Sequence, residues 1–143
     1  MKAGNVPGAL DRRILLSTLW VFVVLNYLYC DVVSLMDAQL LKQYLTGTVG
    51  GIEMTQGFLL GAGVLMALWI AMVLLSRVLP YGPNRWINVG AGIVATLVQL
   101  ASLLLKPAAP YYIFFSVLEI AGTLLVFWFA LRWRNPEASA SKR

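Results

Sequence analysis

Four apolar stretches, each long enough to cross a bilayer as a helix, occupy most of the chain at roughly 14–36, 57–78, 86–105 and 111–131. A helix needs ~20 predominantly apolar residues to traverse the hydrocarbon core, and each stretch meets that length. Lipid then becomes the solvent for most of the protein. Every backbone N–H and C=O inside it must be satisfied within its own helix. The expected fold is all-α: one membrane-embedded domain over 1–143, a four-helix transmembrane bundle running up-down-up-down, with a short polar tail at 135–143.

Charge agrees with this and fixes an orientation. Only 12% of the residues are charged and 60% are hydrophobic, against about 25% charged in water-soluble domains. The net charge of +5 is unevenly placed. Lys2, Arg12, Arg13, Arg77, Arg85, Arg132, Arg134, Lys142 and Arg143 flank the spans on one side, and only Lys42 and Lys106 lie on the other. Basic residues concentrate on the cytoplasmic side of membrane proteins, so both termini are expected inside. The same distribution argues against nucleic-acid binding, because no folded basic face remains to carry it. The first apolar run exceeds the 7–15 residues of a typical signal-peptide core and has no small-residue cleavage site after it, so it reads as a retained anchor.

Absences narrow the chemistry. The chain has one cysteine, Cys30, and no histidine. An internal disulfide, a paired-cysteine redox centre, His-based metal or haem ligation and His-activated nucleophiles all drop out. No cofactor or metal set is expected, and catalytic residues are not assigned.

The connections differ in kind. Asp11 is a candidate N-cap for the first helix. Pro80, Gly82 and Pro83 are expected to end span two and turn the chain into span three. Pro107 and Pro110 make the third connection tighter, pairing spans three and four as antiparallel neighbours. The first connection is longest. Residues 37–45 (DAQLLKQYL) suit a short amphipathic helix at the outer surface, with Leu40, Leu41 and Leu45 in the interface, followed by a flexible glycine-rich return at 46–51. Tyr111 and Tyr112 mark the outer interface; Tyr81, Trp86, Trp128 and Trp133 mark the inner one. Trp69, deep in span two, packs between helices or faces lipid.

Two carboxylates lie at membrane depth. Counting inward at 1.5 Å per residue, Asp31 sits ~8 Å below the outer surface, Gln99 ~10 Å, Glu119 ~12 Å and Asn26 ~15 Å. Glu53 and Gln56 lie where span two begins, on the same side, and the inner half shows nothing comparable. Helical spacing gathers these groups. Asn88, Gly92, Ala95, Gln99, Ser102 and Lys106 form one stripe on span three, and Tyr112, Ser116, Glu119 and Thr123 another on span four. Tyr27, Asp31 and Ser34 share a face of span one, beside a second face with Asn26, Cys30 and Asp37. The stripes predict a polar cavity between helices, open outward.

No cation stands at the level of Asp31 or Glu119, and only Lys106 could snorkel part of the way. Intramembrane acids are functional by default. The leading reading is therefore binding or transport of a small cationic or hydrophobic ligand, with Asp31 and Glu119 carrying charge and Gln99, Asn26, Tyr27, Ser116, Glu53 and Gln56 orienting the ligand. Structural bridging between helices is the plainer alternative, at a net gain of ~0.6 kcal/mol per contact. An accessory role towards lipid or a partner protein is a second function class. The GxxxG of Gly57 and Gly61 allows close helix approach, either within the bundle or in a homodimer. An intramembrane lipid-modifying enzyme using the two carboxylates as acid and base comes third, since no nucleophile or cofactor motif accompanies them.

The runs LSTLWVFVVLNYLYCDVVSLMD, LLKQYLTGTVGG, AMVLLSRVL and YYIFFSVLEIAGT together resemble a family of small four-span bacterial membrane proteins known only as a domain of unknown function. The resemblance covers nearly the whole chain and includes Asn26, Asp31, Asp37 and Glu119. It implies a four-helix integral membrane protein and no assigned activity. Related sequences often carry an acidic residue and a proline in mid span two, where this chain reads MALWIAM with Ala67 and Trp69. A looser likeness to DoxX-like membrane proteins rests on span count and glycine-rich helices.

Overall fold

The structure is a computed structural model that describes residues 11–105 and 109–134. The helices are α1 (Arg12–Met36), α2 (Ala38–Thr46), α3 (Gln56–Val78), α4 (Tyr81–Leu105) and α5 (Pro110–Leu131), with a two-stranded hairpin, β1 (Thr48–Val49) and β2 (Ile52–Glu53), between α2 and α3. All but α2 are long and apolar enough to cross a membrane. Their outward surfaces carry large apolar side chains such as Leu60, Leu74, Val78 and Leu104, each more than 60% exposed. Apolar surface of that kind is what lipid-facing helices present. The protein is a multi-pass membrane protein.

Local chemistry sets the helix ends. The Asp11 carboxylate accepts from the Arg13 amide at 3.0 Å and caps α1. Asp37 leaves helical geometry at the end of α1, and its Oδ1 accepts the Gln39 and Leu40 amides that begin α2. One residue thus stops one helix and starts the next. Gly47, at φ 76°, closes α2 in the left-handed conformation that glycine adopts without strain.

The return after α2 is more ordered than a flexible glycine linker. Gly50 and Gly51 both have positive φ, 55° and 81°, the pattern of a two-residue turn whose twist suits a β-hairpin. Thr48 pairs with Glu53 and Val49 with Ile52. The Gly50 amide also donates to Gln43 Oε1 at 3.0 Å, tying the hairpin to α2. The flanking strands are too short for alternation to announce them in the sequence.

α4 begins at Tyr81 rather than near Trp86. Pro80 ends the α3 segment, but Gly82 and Pro83 lie inside the first turn of α4, where a proline removes no intrahelical bond. The extra turn matters, because it carries Asn84 and Asn88 into the protein.

The helices pack in the order α3, α1, α5, α4, with α5 against both α1 and α4. Close backbone approach requires glycine at two contacts. A Cβ at Gly122 would lie 2.7 Å from Val23 Cγ2, and one at Gly92 would lie 3.1 Å from the Thr123 carbonyl. By contrast, Gly61 has open space around it, and Gly57 would meet only the hydroxyl of Thr55. The GxxxG on α3 therefore packs against nothing else described in its own chain. Leu16, Trp20, Val23, Trp69, Met72 and Val126 fill the core. Trp69 packs between helices: its ring stacks on Trp20, with centroids 5.6 Å apart.

α3 and α4 are joined by a tight connection yet meet little along their length. Hydrogen bonds between them cluster beside the turn. Ser76 Oγ donates to Asn88 Oδ1 at 3.1 Å, and Asn84 Nδ2 donates to the Ser76 carbonyl at 2.7 Å. Trp20 Nε1 donates to the same Asn88 oxygen at 2.7 Å. Arg77 Nε reaches Ser17 Oγ, which itself donates to the Val73 carbonyl. Ser76, Asn84 and Asn88 are fully buried. This network corrects the expectation that polarity is confined to one half of the bundle. Those residues read as groups at a helix end only while α4 is taken to start at Trp86.

Candidate functional site

The stripes expected on spans three and four are buried and face each other. Gln99, Ser116, Glu119 and Thr123 are each at most 5% exposed. Gln99 Nε2 donates to Ser116 Oγ at 2.7 Å, and Ser116 Oγ donates to the Tyr112 carbonyl at 2.7 Å. Ser102 and Tyr112 hydrogen-bond through their hydroxyls. Thr96 and Thr123 share a hydrogen bond of 2.8 Å, and Thr123 also donates to the Glu119 carbonyl at 3.0 Å. Hydroxyl and amide groups thus zip α4 to α5. Each is satisfied by the other helix or by its own, as buried polar groups in a protein usually are.

Glu119 breaks that pattern. It is 1% exposed, and neither carboxyl oxygen has a hydrogen-bond partner among the described residues. The Tyr27 hydroxyl, buried on α1, also has none. Glu119 and Tyr27 act on each other electrostatically, and Asp31 acts on Glu119. A carboxyl in this setting is tolerated as the neutral acid, or as a carboxylate that receives a cation.

Towards the α2 end lies a cavity of about 430 Å³. α1 contributes Asp31, Ser34 and the adjoining Asp37; α2 contributes Gln39, Leu40, Gln43 and Tyr44. The hairpin adds Val49 and Gly50, and the start of α5 adds Tyr111 and Tyr112. Asp31 is exposed on its rim. Tyr44 lies outside the spans, and its phenol is pushed above its ordinary pKa of 10.0, first by burial and then by the charge of Asp31.

Not every expected residue joins this arrangement. Of them only Asp31 lines the cavity; Gln99, Ser116, Tyr27 and Glu119 gather in the core beyond its lining, where tight α4–α5 packing stands in place of the expected outward-open polar cavity. Asn26 is half-buried and spends its amide on the Phe22 carbonyl of its own helix, at 2.8 Å. Glu53 and Gln56 are exposed and do not line the cavity. Lys106 and the polar tail at 135–143 lie outside the described residues. Sequence reasoning missed the roles of Tyr44, Tyr111, Tyr112 and Asp37 as cavity walls. Placing tyrosines at the outer interface did locate two of them, but not their convergence with α2. Among the described residues no three His, Cys, Asp or Glu side chains are placed to hold a metal ion.

Residues 8–140 match the model of a family of unknown function (DUF6326), and the chain belongs to that family. No curated protein and no solved structure matches it.

Proposed function

We propose that this family member binds a small organic cation, and moves it, through a polar pocket that opens on the outer side of a bacterial plasma membrane. The single observation that carries the reading is Glu119, buried to 1% exposure with both oxygens lacking a partner among the described residues. Such a group destabilises a fold unless something else uses it. Asp31 gives the approach its negative charge, Glu119 takes the cation or a proton, and Gln99, Ser116 and Tyr27 orient the ligand. Arg12, Arg13, Arg77, Arg85, Arg132 and Arg134 flank the spans at the end away from α2, which supports termini on the cytoplasmic side and a pocket facing out.

Substrate and proton compete for one carboxyl in this scheme, so binding must release protons. Purified protein in weakly buffered detergent is titrated with tetraphenylphosphonium while pH is followed. Release that saturates with the ligand, and disappears in Glu119→Gln, is the expected result. Binding without release would overturn the coupling.

The open face at Gly57 and Gly61 supports a second reading, in which α3 pairs two copies of the chain. Cross-linking in native membranes tests it: a dimer band that Gly61→Leu removes is expected.

A further inference from the structure

We propose that the cavity beneath α2 is a receiving site for a quaternary ammonium group, held by the rings of Tyr44, Tyr111 and Tyr112 and the charges of Asp31 and Asp37. The proposal names the ligand class for the pocket above and rests on the reading of Asp31 as the mouth of a cation path.

Size comes first. The cavity measures about 430 Å³, within the roughly 300–1,000 Å³ that small organic ligands occupy and far more than a bare inorganic ion fills. The described residues also provide no cluster of metal-ligating side chains. Charge comes second. Among the described residues the lining includes two carboxylates and no lysine or arginine, a balance that favours a cation over an anion. Asp37 holds the first amides of α2 through Oδ1 alone, and its negative charge remains at the wall.

The aromatic groups then select among organic cations. Three tyrosines from two separate elements line one cavity, and a ring face attracts a cation with about 0.5–2 kcal/mol. A primary ammonium has three N–H donors that need acceptors; a quaternary ammonium has none and is suited to ring carbon. Burial and Asp31 keep the Tyr44 phenol protonated, so its ring remains neutral and its hydroxyl stays available for hydrogen bonding. The same chemistry is offered by a free organic ammonium and by the phosphocholine headgroup of a neighbouring lipid.

The test uses the full chain in nanodiscs of phosphatidylglycerol, titrated with radiolabelled tetraethylammonium. Saturable binding that choline displaces and potassium does not is expected. Tyr44→Leu and Tyr111→Leu should weaken it by roughly 3- to 30-fold each, the range set by one lost ring. Tyr44→Phe, which keeps the ring, should retain it, so a folding defect is separable from a lost contact. Asp31→Asn should weaken it as well. Repeating the titration in phosphatidylcholine nanodiscs separates the two sources: a lower apparent affinity marks the lipid headgroup as the occupant, and an unchanged one marks a free ammonium. Absence of saturable binding, or Tyr44→Leu equal to wild type, overturns the proposal. Saturable binding without proton release would overturn only the coupling at Glu119 and leave this site standing.

Discussion

Trp20 on α1 and Asn88 on α4 meet through a 2.7 Å hydrogen bond from the indole Nε1 to the amide oxygen. They tie together two helices that are not neighbours in the packing order. Ser76 donates to the same oxygen, and the Asn88 amide group donates to the Asn84 backbone and side-chain oxygens. Asn88→Leu keeps the side-chain size and strands all three partners. At ~0.6 kcal/mol for an average hydrogen bond in a membrane protein, the loss should reach about 2 kcal/mol. Trp20→Phe removes one bond from the network and part of the stack on Trp69. The unfolding midpoint in dodecyl sulfate should fall for both variants, further for Asn88→Leu. An Asn88→Leu midpoint equal to wild type would show that the network contributes no stability.

Gly122 and Gly61 should respond in opposite ways to the same change. A Cβ at Gly122 meets Val23 at 2.7 Å and the Phe22 ring at 3.3 Å, whereas Gly61 faces open space. Gly122→Ala should therefore push α1 from α5 and cost about 1–3 kcal/mol, the usual penalty for overpacking. Gly61→Leu should leave the unfolding midpoint within about 0.5 kcal/mol of wild type. If α3 pairs two copies, Gly61→Leu lowers cross-linking without changing that midpoint. A matching loss of stability at both positions would mean that α3 is packed inside the chain after all.

The four spans, the antiparallel pairing of α4 with α5 and the capping by Asp11 were legible in the sequence, because each depends on local hydropathy or on a few adjacent residues. The polar stripe of α4 was legible for the same reason: helical periodicity alone puts Asn88, Gly92, Ala95 and Gln99 on one face. Neighbour order was not. Nothing in the residues says that α3 lies against α1 and away from most of α4, which depends on the whole set of packing contacts. The network around Asn88 was hidden by a helix start placed near Trp86 instead of Tyr81. The hairpin was hidden because two-residue strands leave no alternation to read. At the candidate site, the buried position of Glu119 followed from its stripe, while the joining of Tyr44 to Tyr111 and Tyr112 required the fold.

Glu119 should oppose stability and function. A buried polar group without a partner costs about 1–3 kcal/mol, and replacing it with an apolar group of similar shape removes that cost. Glu119→Met matches the length of the side chain and introduces no unpaired polar group. Its unfolding midpoint should rise, while proton release on adding tetraphenylphosphonium is abolished. This is the trade expected where a destabilising residue is retained for its chemistry. A lower midpoint would instead show that the carboxyl bridges helices, and would return Glu119 to a structural role.

Tyr44 gives the cavity wall a pH dependence at the alkaline end. Its pKa in the folded protein lies above the ordinary 10.0, through burial first and the negative charge of Asp31 second. A raised folded pKa means that the folded state holds the phenolic proton more tightly than the unfolded chain does. The stabilisation is fully present below the unfolded pKa of about 10 and is lost as pH rises through the folded value. Subtracting the alkaline titration of Tyr44→Phe from that of wild type, followed by tyrosinate absorbance, isolates this one phenol. It should ionise above pH 10, and Asp31→Asn should bring it down while leaving the burial contribution in place. A Tyr44 that titrates at its ordinary value in wild type would mean that α2 does not hold the ring against the mouth of the cavity, and the quaternary-ammonium site would lose one of its three walls.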